Sequence, residues 1–222
     1  FGVSGIGCVV NTVNPRLFPE QLTYIINHAE NKYLFIDLTF VELVESLEEG
    51  LEGVEGFIVL TDKDNMPETK LKNVICYEEL IKEESEEFSW PDFDENTASS
   101  LCYTSGTTGN PKGVLYSHRS TILHTWIVSS GNVAKVSSSS SILPVVPMFH
   151  VNAWGIPYAG AMFGAKLVFP GPALDGASIY ELIESEKPDL LMGVPTVWLG
   201  LLQYLNEANN TLESVDTALV GG

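Results

Sequence analysis

A run of glycines and hydroxyl side chains in the middle of the chain has the composition of a phosphate-binding loop. It extends from Tyr103 to Gly113 and reads Tyr-Thr-Ser-Gly-Thr-Thr-Gly-Asn-Pro-Lys-Gly. Glycine lets backbone amides approach a ligand closely, and hydroxyl groups donate hydrogen bonds to phosphate oxygens. Lys112 adds a mobile positive charge at the far end. The sequence therefore predicts a polyphosphate cradle on this segment, which we call the Thr/Gly loop.

The Walker P-loop, G-x-x-x-x-G-K-[ST], is the obvious alternative for this segment. It does not fit, because Pro111 precedes Lys112 and Gly113 stands where the P-loop needs Ser or Thr to bind Mg²⁺. A solvated turn that binds nothing is the other alternative. Eleven consecutive residues of this type, ending in Pro-Lys-Gly, disfavour it.

A second group of candidate residues, His150 and Trp154, follows an apolar stretch at 143–149. A lone histidine in such a place is more often a core residue with satisfied hydrogen bonds, and most tryptophans serve packing. Ser117 and His118 could suggest a nucleophile and its base. Adjacent residues point apart, however, and the chain lacks a Gly-x-Ser-x-Gly elbow. The sequence therefore disfavours a hydrolase.

Charge and composition exclude several classes of protein. With a formal charge of −18 and eleven Lys and Arg in 222 residues, a nucleic-acid-binding patch is not expected. Eighteen of the 29 acidic residues lie between Glu42 and Glu95, which predicts a solvated outer face. No apolar run is long enough to span a bilayer. The three cysteines lack zinc spacing and are expected to be structural thiols in a reducing compartment.

Alternating strands and helices must position these groups. Strands are predicted over 7–10, 33–37, 56–60, 74–77, 100–104, 142–146, 166–169, 190–193 and 218–220. Helices are predicted over 19–29, 40–51, 77–84, 119–130, 154–163, 178–186 and 196–207. This alternation predicts an α/β fold of parallel-rich sheets covered by helices.

The Thr/Gly loop resembles the signature loop of the acyl-adenylate-forming superfamily, which includes acyl-CoA synthetases, luciferases and the adenylation domains of peptide synthetases. Residues 11–16, 114–119, 147–155 and 194–198 also resemble family motifs, so the likeness covers nearly the whole chain. It most closely resembles bacterial medium- and long-chain fatty acyl-CoA synthetases, which carry the same His-Val-Asn-Ala-Trp string. The resemblance implies the central part of the large N-terminal domain of an adenylate-forming enzyme.

This resemblance implies a two-step reaction. A carboxylate attacks the α-phosphate of ATP, giving acyl-AMP and pyrophosphate, and the CoA thiolate then attacks the acyl carbon and expels AMP. It implies catalytic roles for Lys112, which steadies the leaving pyrophosphate, and for His150, beside the reacting carboxylate. It implies a gate between acyl tunnel and ATP site at Trp154, and a Mg²⁺ ligand at Thr104. Nucleotide contacts are implied for Thr104, Ser105, Gly106, Thr107, Thr108, Gly109, Lys112, Val151, Trp154 and Gly222.

Other adenylating enzymes stay open as alternatives. One is a ligase for a short-chain, sulfur-containing or aryl acid, and another is a peptide-synthetase adenylation domain. The latter usually carries an aspartate near the position of His150 to Asn152, and no aspartate occurs between Pro147 and Pro170. A third alternative is a nucleotide-binding remnant without catalysis.

The two ends of the chain look cut, because it begins with Phe1 and ends on a strand that runs into Gly221-Gly222. We therefore expect residues 1–222 to be a partial AMP-binding N-terminal domain. Residues 1–96 are assigned to the first subdomain, and 97–222 to the part with the signature loop and the acyl and nucleotide sites. Without the family's C-terminal domain, this fragment alone is expected to be inactive. The parent is expected to be a cytoplasmic homodimer that binds a small carboxylic acid, ATP and CoA.

Overall fold

The computed structural model describes residues 1–104 and 109–221. The chain divides into two structural units. Unit 1 comprises Phe1–Phe93 and Ser99–Leu115, and unit 2 comprises Asp94–Ala98 and Tyr116–Gly222. Each unit is described by itself.

Helices and strands alternate through unit 1. Its helices are α1 (Gly2–Gly5), α2 (Pro19–His28), α3 (Val41–Leu47) and α4 (Tyr77–Ile81), with 3₁₀ turns at Leu38–Phe40 and Glu48–Gly50. The strands that lie wholly or mainly in it are β1 (Val10–Asn11), β2 (Tyr33–Ile36), β3 (Gly56–Val59), β4 (Val74–Cys76), β5 (Ala98–Tyr103) and β6 (Gly113–Ser117). Strands β2, β3 and β4 form a parallel sheet in that order, and β5 lies between β1 and β6 in another.

The core of unit 1 lies around β3, which is buried along its whole length. Its buried members are Ile36, Val41, Phe57, Val59 and Leu71. Strand β2 is only partly buried, since Tyr33 and Phe35 are each 50% exposed. Successive side chains of a strand point to opposite faces, so β2 is covered on one side only.

Unit 2 is built around a four-stranded parallel sheet in the order β10-β9-β7-β8. Its strands are β7 (Ser141–Val145), β8 (Lys166–Leu167), β9 (Leu190–Gly193) and β10 (Thr217–Val220). Its helices are α5 (His118–Val128), α6 (Val151–Trp154), α7 (Ile156–Phe163), α8 (Gly176–Glu186) and α9 (Pro195–Ala208). The predicted α/β fold with parallel sheets and helices is confirmed.

Alternation along β7 and β9 sends side chains into two separate cores. One core contains Ile142, Leu190 and Met192 together with Ile156 and Ala159 of α7. The other contains Leu143, Val145 and Leu191 together with Ile179 and Ile183 of α8 and Trp198 and Leu201 of α9. Helices therefore cover both faces of this sheet, as expected for parallel strands.

Local caps fix where the helices that flank the candidate residues begin. The Ser117 hydroxyl accepts a hydrogen bond from the Ser120 N–H at 3.1 Å. This bond caps α5, which begins directly after β6. The carboxylate of Asp175 accepts from the N–H groups of Ala177 and Ser178 at 3.1 Å and starts α8. Side-chain oxygens at this position satisfy the free amides of the first turn.

Several sequence-based boundaries differ from the structure. Residues 2–5 form a short helix, and the strand expected over 7–10 lies at Val10–Asn11. Strand β6, at Gly113–Ser117, is absent from the predicted strands. The helix expected over 154–163 begins at Ile156, because residues 151–155 have positive φ and cannot belong to a right-handed helix. Among the described residues, no helix combines the length and the hydropathy needed to cross a membrane.

Candidate functional site

The two ends of the Thr/Gly loop are hydrogen-bonded to each other. The Thr104 N–H donates to the Lys112 carbonyl at 3.0 Å, and the Lys112 N–H donates to Thr104 Oγ1 at 3.2 Å. Because Tyr103 ends β5 and Gly113 begins β6, this pair of bonds continues the strand pairing into the loop. The structure thus brings together Thr104 and Lys112, two of the predicted phosphate-binding residues. Ser105, Gly106, Thr107 and Thr108 lie outside the described residues.

Lys112 is available to bind an anion. It is exposed, and its ammonium makes no ion pair or hydrogen bond with any residue that the structure describes. The preceding Pro111 is buried and restricts the backbone from which the lysine projects. Gly109, at φ +139°, adopts a backbone conformation that other residues rarely reach. In a chain of net charge −18, an exposed lysine on a glycine-containing segment is suited to a polyphosphate.

The base of the loop is covered by the ring of Tyr103. A Cβ at Gly113 would lie 3.2 Å from Tyr103 Cζ, so this ring packs directly on the residue after Lys112. The Tyr103 hydroxyl lies 2.7 Å from His28 Nδ1. Burial raises the pKa of Tyr103 above its ordinary value of 10.0, and the neighbouring Tyr24 adds to this shift. The sequence gives no local signal for this contact, because the two residues are 75 positions apart.

The second candidate region follows His150 and has an unusual backbone. The φ angles of Val151, Asn152, Ala153 and Trp154 are 49°, 50°, 52° and 55°, and that of Gly155 is 75°. These values are those of a left-handed helix, which costs an L-residue about 1–2 kcal/mol. We call Val151–Gly155 the left-handed turn. It separates His150 from α7, which is why the right-handed helix does not begin at Trp154.

Burial and close packing hold the left-handed turn in place. Asn152 and Ala153 are buried, and the Gly155 N–H donates to the carbonyls of Val151 and Asn152 at 3.2 and 3.1 Å. A Cβ at Gly155 would lie 2.8 Å from His124 Nδ1, closer than packed side chains come. Both its positive φ and this contact require glycine there.

His150, which precedes the left-handed turn, and Trp154, which lies within it, have different environments. His150 is exposed, and its backbone N–H donates to the Pro147 carbonyl at 3.0 Å. Trp154 is partly buried and packs against the core that contains Ala153. A Cβ at Gly221 would lie 3.1 Å from Trp154 Cη2, so the indole covers the end of β10. Gly222, the predicted nucleotide contact, lies outside the described residues.

A pocket of about 250 Å³ opens between α5 and the left-handed turn. Its lining combines aromatic rings and hydroxyl groups with the predicted site residue Val151. The lining residues are Tyr116, Ser120, Thr121, His124, Val151, Asn152, Gly155 and Tyr158. Sequence reasoning missed His124 and Tyr158, because neither belongs to a short motif of recognised chemistry. The mixture suits a small, mainly apolar group with a polar end.

The Thr104 hydroxyl is the predicted protein ligand of a Mg²⁺ ion. No group of three or more His, Cys, Asp or Glu side chains that could hold a metal occurs in residues 1–104 and 109–221. The Thr104 hydroxyl accepts one hydrogen bond and retains a second lone pair. It fits one position of an octahedral Mg²⁺ shell in which water and phosphate oxygens supply the others.

Comparison with known proteins gives this chain a family. The profile of the AMP-binding enzyme family matches residues 1–222. The chain is 51% identical to a medium-chain-fatty-acid–CoA ligase of Ectopseudomonas oleovorans and 50% identical to a 3-methylmercaptopropionyl-CoA ligase of Ruegeria pomeroyi. Both matches cover all of this chain and 41% of the relative, so the chain spans about two fifths of the length of these relatives.

Solved structures show the same fold at lower identity. An anthranilate CoA ligase in complex with anthranoyl-AMP superimposes with a TM-score of 0.81 at 22% identity, over 99% of this chain and 41% of that one. A fatty acyl CoA synthetase of Mycobacterium tuberculosis superimposes with a TM-score of 0.77 at 20% identity, over 100% of this chain and 41% of that one. The sequence and fold together place the chain in the AMP-binding enzyme family.

Proposed function

We propose that this chain is part of an ATP-dependent acyl-CoA synthetase that activates a fatty or related carboxylic acid. The observation that carries the proposal is the base of the Thr/Gly loop, where hydrogen-bonded ends present an exposed Lys112 without an anionic partner among the described residues. The 51% identity to a fatty-acid–CoA ligase over the whole chain supports the reaction class.

In the proposed adenylation step, an oxygen of the carboxylate attacks the α-phosphorus of ATP. The bond from this phosphorus to the bridging oxygen breaks, and pyrophosphate leaves with the electron pair. Negative charge therefore accumulates on the leaving group, where the Lys112 ammonium can neutralise it. Thr104 is the proposed protein ligand of Mg²⁺, which supplies further charge neutralisation when bound.

In the proposed second step, the CoA thiolate attacks the acyl carbon of the adenylate and AMP leaves. We assign to His150 the hydrogen bond to the reacting carboxylate in the first step, since it is exposed at the start of the left-handed turn. We assign to Trp154 the gate between acyl group and nucleotide. Val151 and Gly222 are further proposed nucleotide contacts. No covalent enzyme intermediate is needed, so positioning and charge neutralisation carry the catalysis.

The pocket between α5 and the left-handed turn is the proposed place for the first carbons of the acid. Its volume of about 250 Å³ is below the ~300–1,000 Å³ of pockets that enclose a drug-sized ligand. It suits a short acid entirely or a long acid in part. The 50% identity to a 3-methylmercaptopropionyl-CoA ligase favours a short, sulfur-containing acid as the second candidate.

The test uses the full-length protein, ATP, Mg²⁺ and a panel of acids from acetate to palmitate that includes 3-(methylthio)propionate. Acid-dependent exchange of pyrophosphate into ATP measures the first step, and acyl-CoA formation measures the second. We expect both, with one chain length preferred. ATP binding without exchange for any acid would support the non-catalytic remnant instead. In the same assays, Trp154→Ala is expected to change the KM for the acid, whereas a loss of thermal stability alone would indicate simple packing.

The assembly, location and domain division are also proposals. We propose a homodimer, which light scattering of the full-length protein tests, and a cytoplasmic location, which fractionation of the source cells tests. Residues 97–222 are proposed to carry the acyl and nucleotide sites, and residues 1–96 to belong to the first subdomain.

A further inference from the structure

Three rings meet beside the base of the Thr/Gly loop. The Tyr103 hydroxyl and His28 Nδ1 are 2.7 Å apart, and these two rings meet edge to face, with centroids 5.9 Å apart and planes at 83°. On its other side, His28 stacks on Tyr24, with centroids 5.2 Å apart and planes at 28°. The imidazole is therefore held by a hydrogen bond and by a ring contact.

The three rings connect two elements of unit 1. Tyr24 and His28 are four residues apart on α2, so they lie on the same helix face. Tyr103 is the last residue of β5 and directly precedes Thr104. The hydrogen bond therefore fastens the end of α2 to the point at which the loop leaves the sheet.

The Tyr103 side chain also contacts the other end of the loop. A Cβ at Gly113 would lie 3.2 Å from Tyr103 Cζ and 3.4 Å from its hydroxyl oxygen. The side chain of the residue before Thr104 thus touches the residue after Lys112, and Thr104 and Lys112 are themselves hydrogen-bonded to each other. With its hydroxyl bonded to His28, the ring has little freedom to swing away from Gly113.

We propose that His28 and Tyr103 are positioning residues for the phosphate step: their hydrogen bond fixes the base of the Thr/Gly loop, so that Thr104 and Lys112 meet the β- and γ-phosphates already oriented. This inference rests on the proposed ATP-dependent function. An ordered base reduces the conformational freedom that the loop loses when it binds phosphate. Without the bond the loop still binds, but more weakly.

The variants are Tyr103→Phe and His28→Ala in the full-length protein, with Tyr33→Phe as the matched control. The ring of Tyr33, on β2, also covers a glycine of a neighbouring strand, since a Cβ at Gly56 would lie 3.3 Å from it. Pyrophosphate exchange gives the KM for ATP, pyrophosphate and the acid. We expect each test variant to raise the KM for ATP and pyrophosphate about fivefold, the factor that corresponds to one neutral hydrogen bond. The KM for the acid stays within error, and the melting temperature falls by no more than the few degrees that loss of one hydrogen bond costs.

Two further variants distinguish positioning from simple packing. His28→Gln keeps a hydrogen-bonding group and is expected to restore most of the affinity for ATP. The double variant Tyr103→Phe with His28→Ala is expected to be no weaker than either single variant, because all three lose the same bond. Additive losses, or a lower melting temperature with unchanged KM values, would overturn the proposal.

Calorimetric titration with inorganic pyrophosphate separates this proposal from the proposed function. If the wild-type protein binds pyrophosphate but exchanges none with any acid, the acyl-CoA synthetase assignment fails. The positioning role is then still tested by the fivefold weaker binding expected for Tyr103→Phe and not for Tyr33→Phe. A wild-type protein that does not bind pyrophosphate overturns both.

Discussion

The base of the Thr/Gly loop and the left-handed turn are held in place by different interactions. At the loop base, the contacts are hydrogen bonds between exposed or partly exposed groups of Thr104, Lys112, Tyr103 and His28. In the turn, four successive non-glycine residues adopt positive φ. At about 1–2 kcal/mol per residue, their backbone strain totals about 4–8 kcal/mol. Burial must offset this strain. Tyr103, Thr104 and Lys112 at the loop base have no positive φ and so no comparable backbone strain.

This difference indicates how each region is expected to fail. Strained backbone persists only where the surrounding structure over-determines it, and such residues gather at functional sites. Asn152, Ala153 and Ile156, the first residue of α7, are buried, so core packing determines the backbone of the turn. Changes at the loop base should therefore affect ligand binding more than stability. Changes in the turn should affect stability first.

The largest effect is expected for Lys112→Ala, which removes the exposed ammonium from the loop. Adenylate formation should slow by about 10²-fold, the scale for loss of one charge-stabilising donor. The melting temperature should not change, because this ammonium has no ion-pair or hydrogen-bond partner among the described residues. Pyrophosphate exchange and thermal unfolding of the full-length protein measure the two quantities. Lys63→Ala, at another exposed lysine of unit 1, is the control. An unchanged exchange rate would refute the role of Lys112.

Gly155→Ala should show the opposite pattern, with stability as the main loss. The new methyl group would lie 2.8 Å from His124 Nδ1 on a backbone at φ +75°. We expect a loss of about 2 kcal/mol or more from the free energy of unfolding, because strain and contact add. Gly200→Ala is the matched control, since no atom lies within 4 Å of a Cβ at Gly200 in helix α9. It should stabilise the protein by about 0.5–1 kcal/mol. Equal effects of the two substitutions in urea unfolding would contradict the geometry of the turn.

Much of the loop base could be predicted from sequence, and little of the turn. The chemical types of glycine, threonine and lysine predict a phosphate site at residues 103–113, which stays a prediction, and the structure brings Thr104 and Lys112 together there. Val151, Ala153 and Trp154 have no preference for a left-handed backbone, and Asn152 only a slight one. Their conformation follows from tertiary packing, so sequence reasoning extended the next helix back to Trp154. The His28–Tyr103 contact was missed for a related reason, because only the fold brings these two residues together.

A pair of alanines tests the strain of the turn directly. Ala153 and Ala159 are 1% and 0% exposed and belong to the same core, but Ala153 has φ +52° whereas Ala159 lies in right-handed α7. Each substitution by glycine removes one buried methyl group. Glycine also relieves about 1–2 kcal/mol of strain at residue 153, and it costs about 0.5–1 kcal/mol in helix α7. Ala153→Gly should therefore be more stable than Ala159→Gly by about 2 kcal/mol in urea unfolding. Equal losses would mean that the turn is not strained in solution.

The smallest expected effect concerns the Asp175 cap of α8, which lies outside both regions. It tests whether a charged N-cap stabilises a helix of unit 2. Hydrogen bonds from the hydroxyl and the N–H of Ser178 hold the pKa of Asp175 below its ordinary value of 3.8. A carboxyl with a lowered pKa in the folded state stabilises the protein above its unfolded pKa, and this contribution is lost as the pH falls through the folded pKa. Asp175→Ala should therefore lower the melting temperature by a few degrees near neutral pH.

The difference between Asp175→Ala and wild type should shrink as the pH falls below about 4 and Asp175 becomes protonated. Thermal unfolding between about pH 3 and 7 measures it. Glu213→Ala, at an exposed carboxylate of unit 2 that caps no helix, is the control. A difference between Asp175→Ala and wild type that stays constant over this range would show that the charged cap does not stabilise α8.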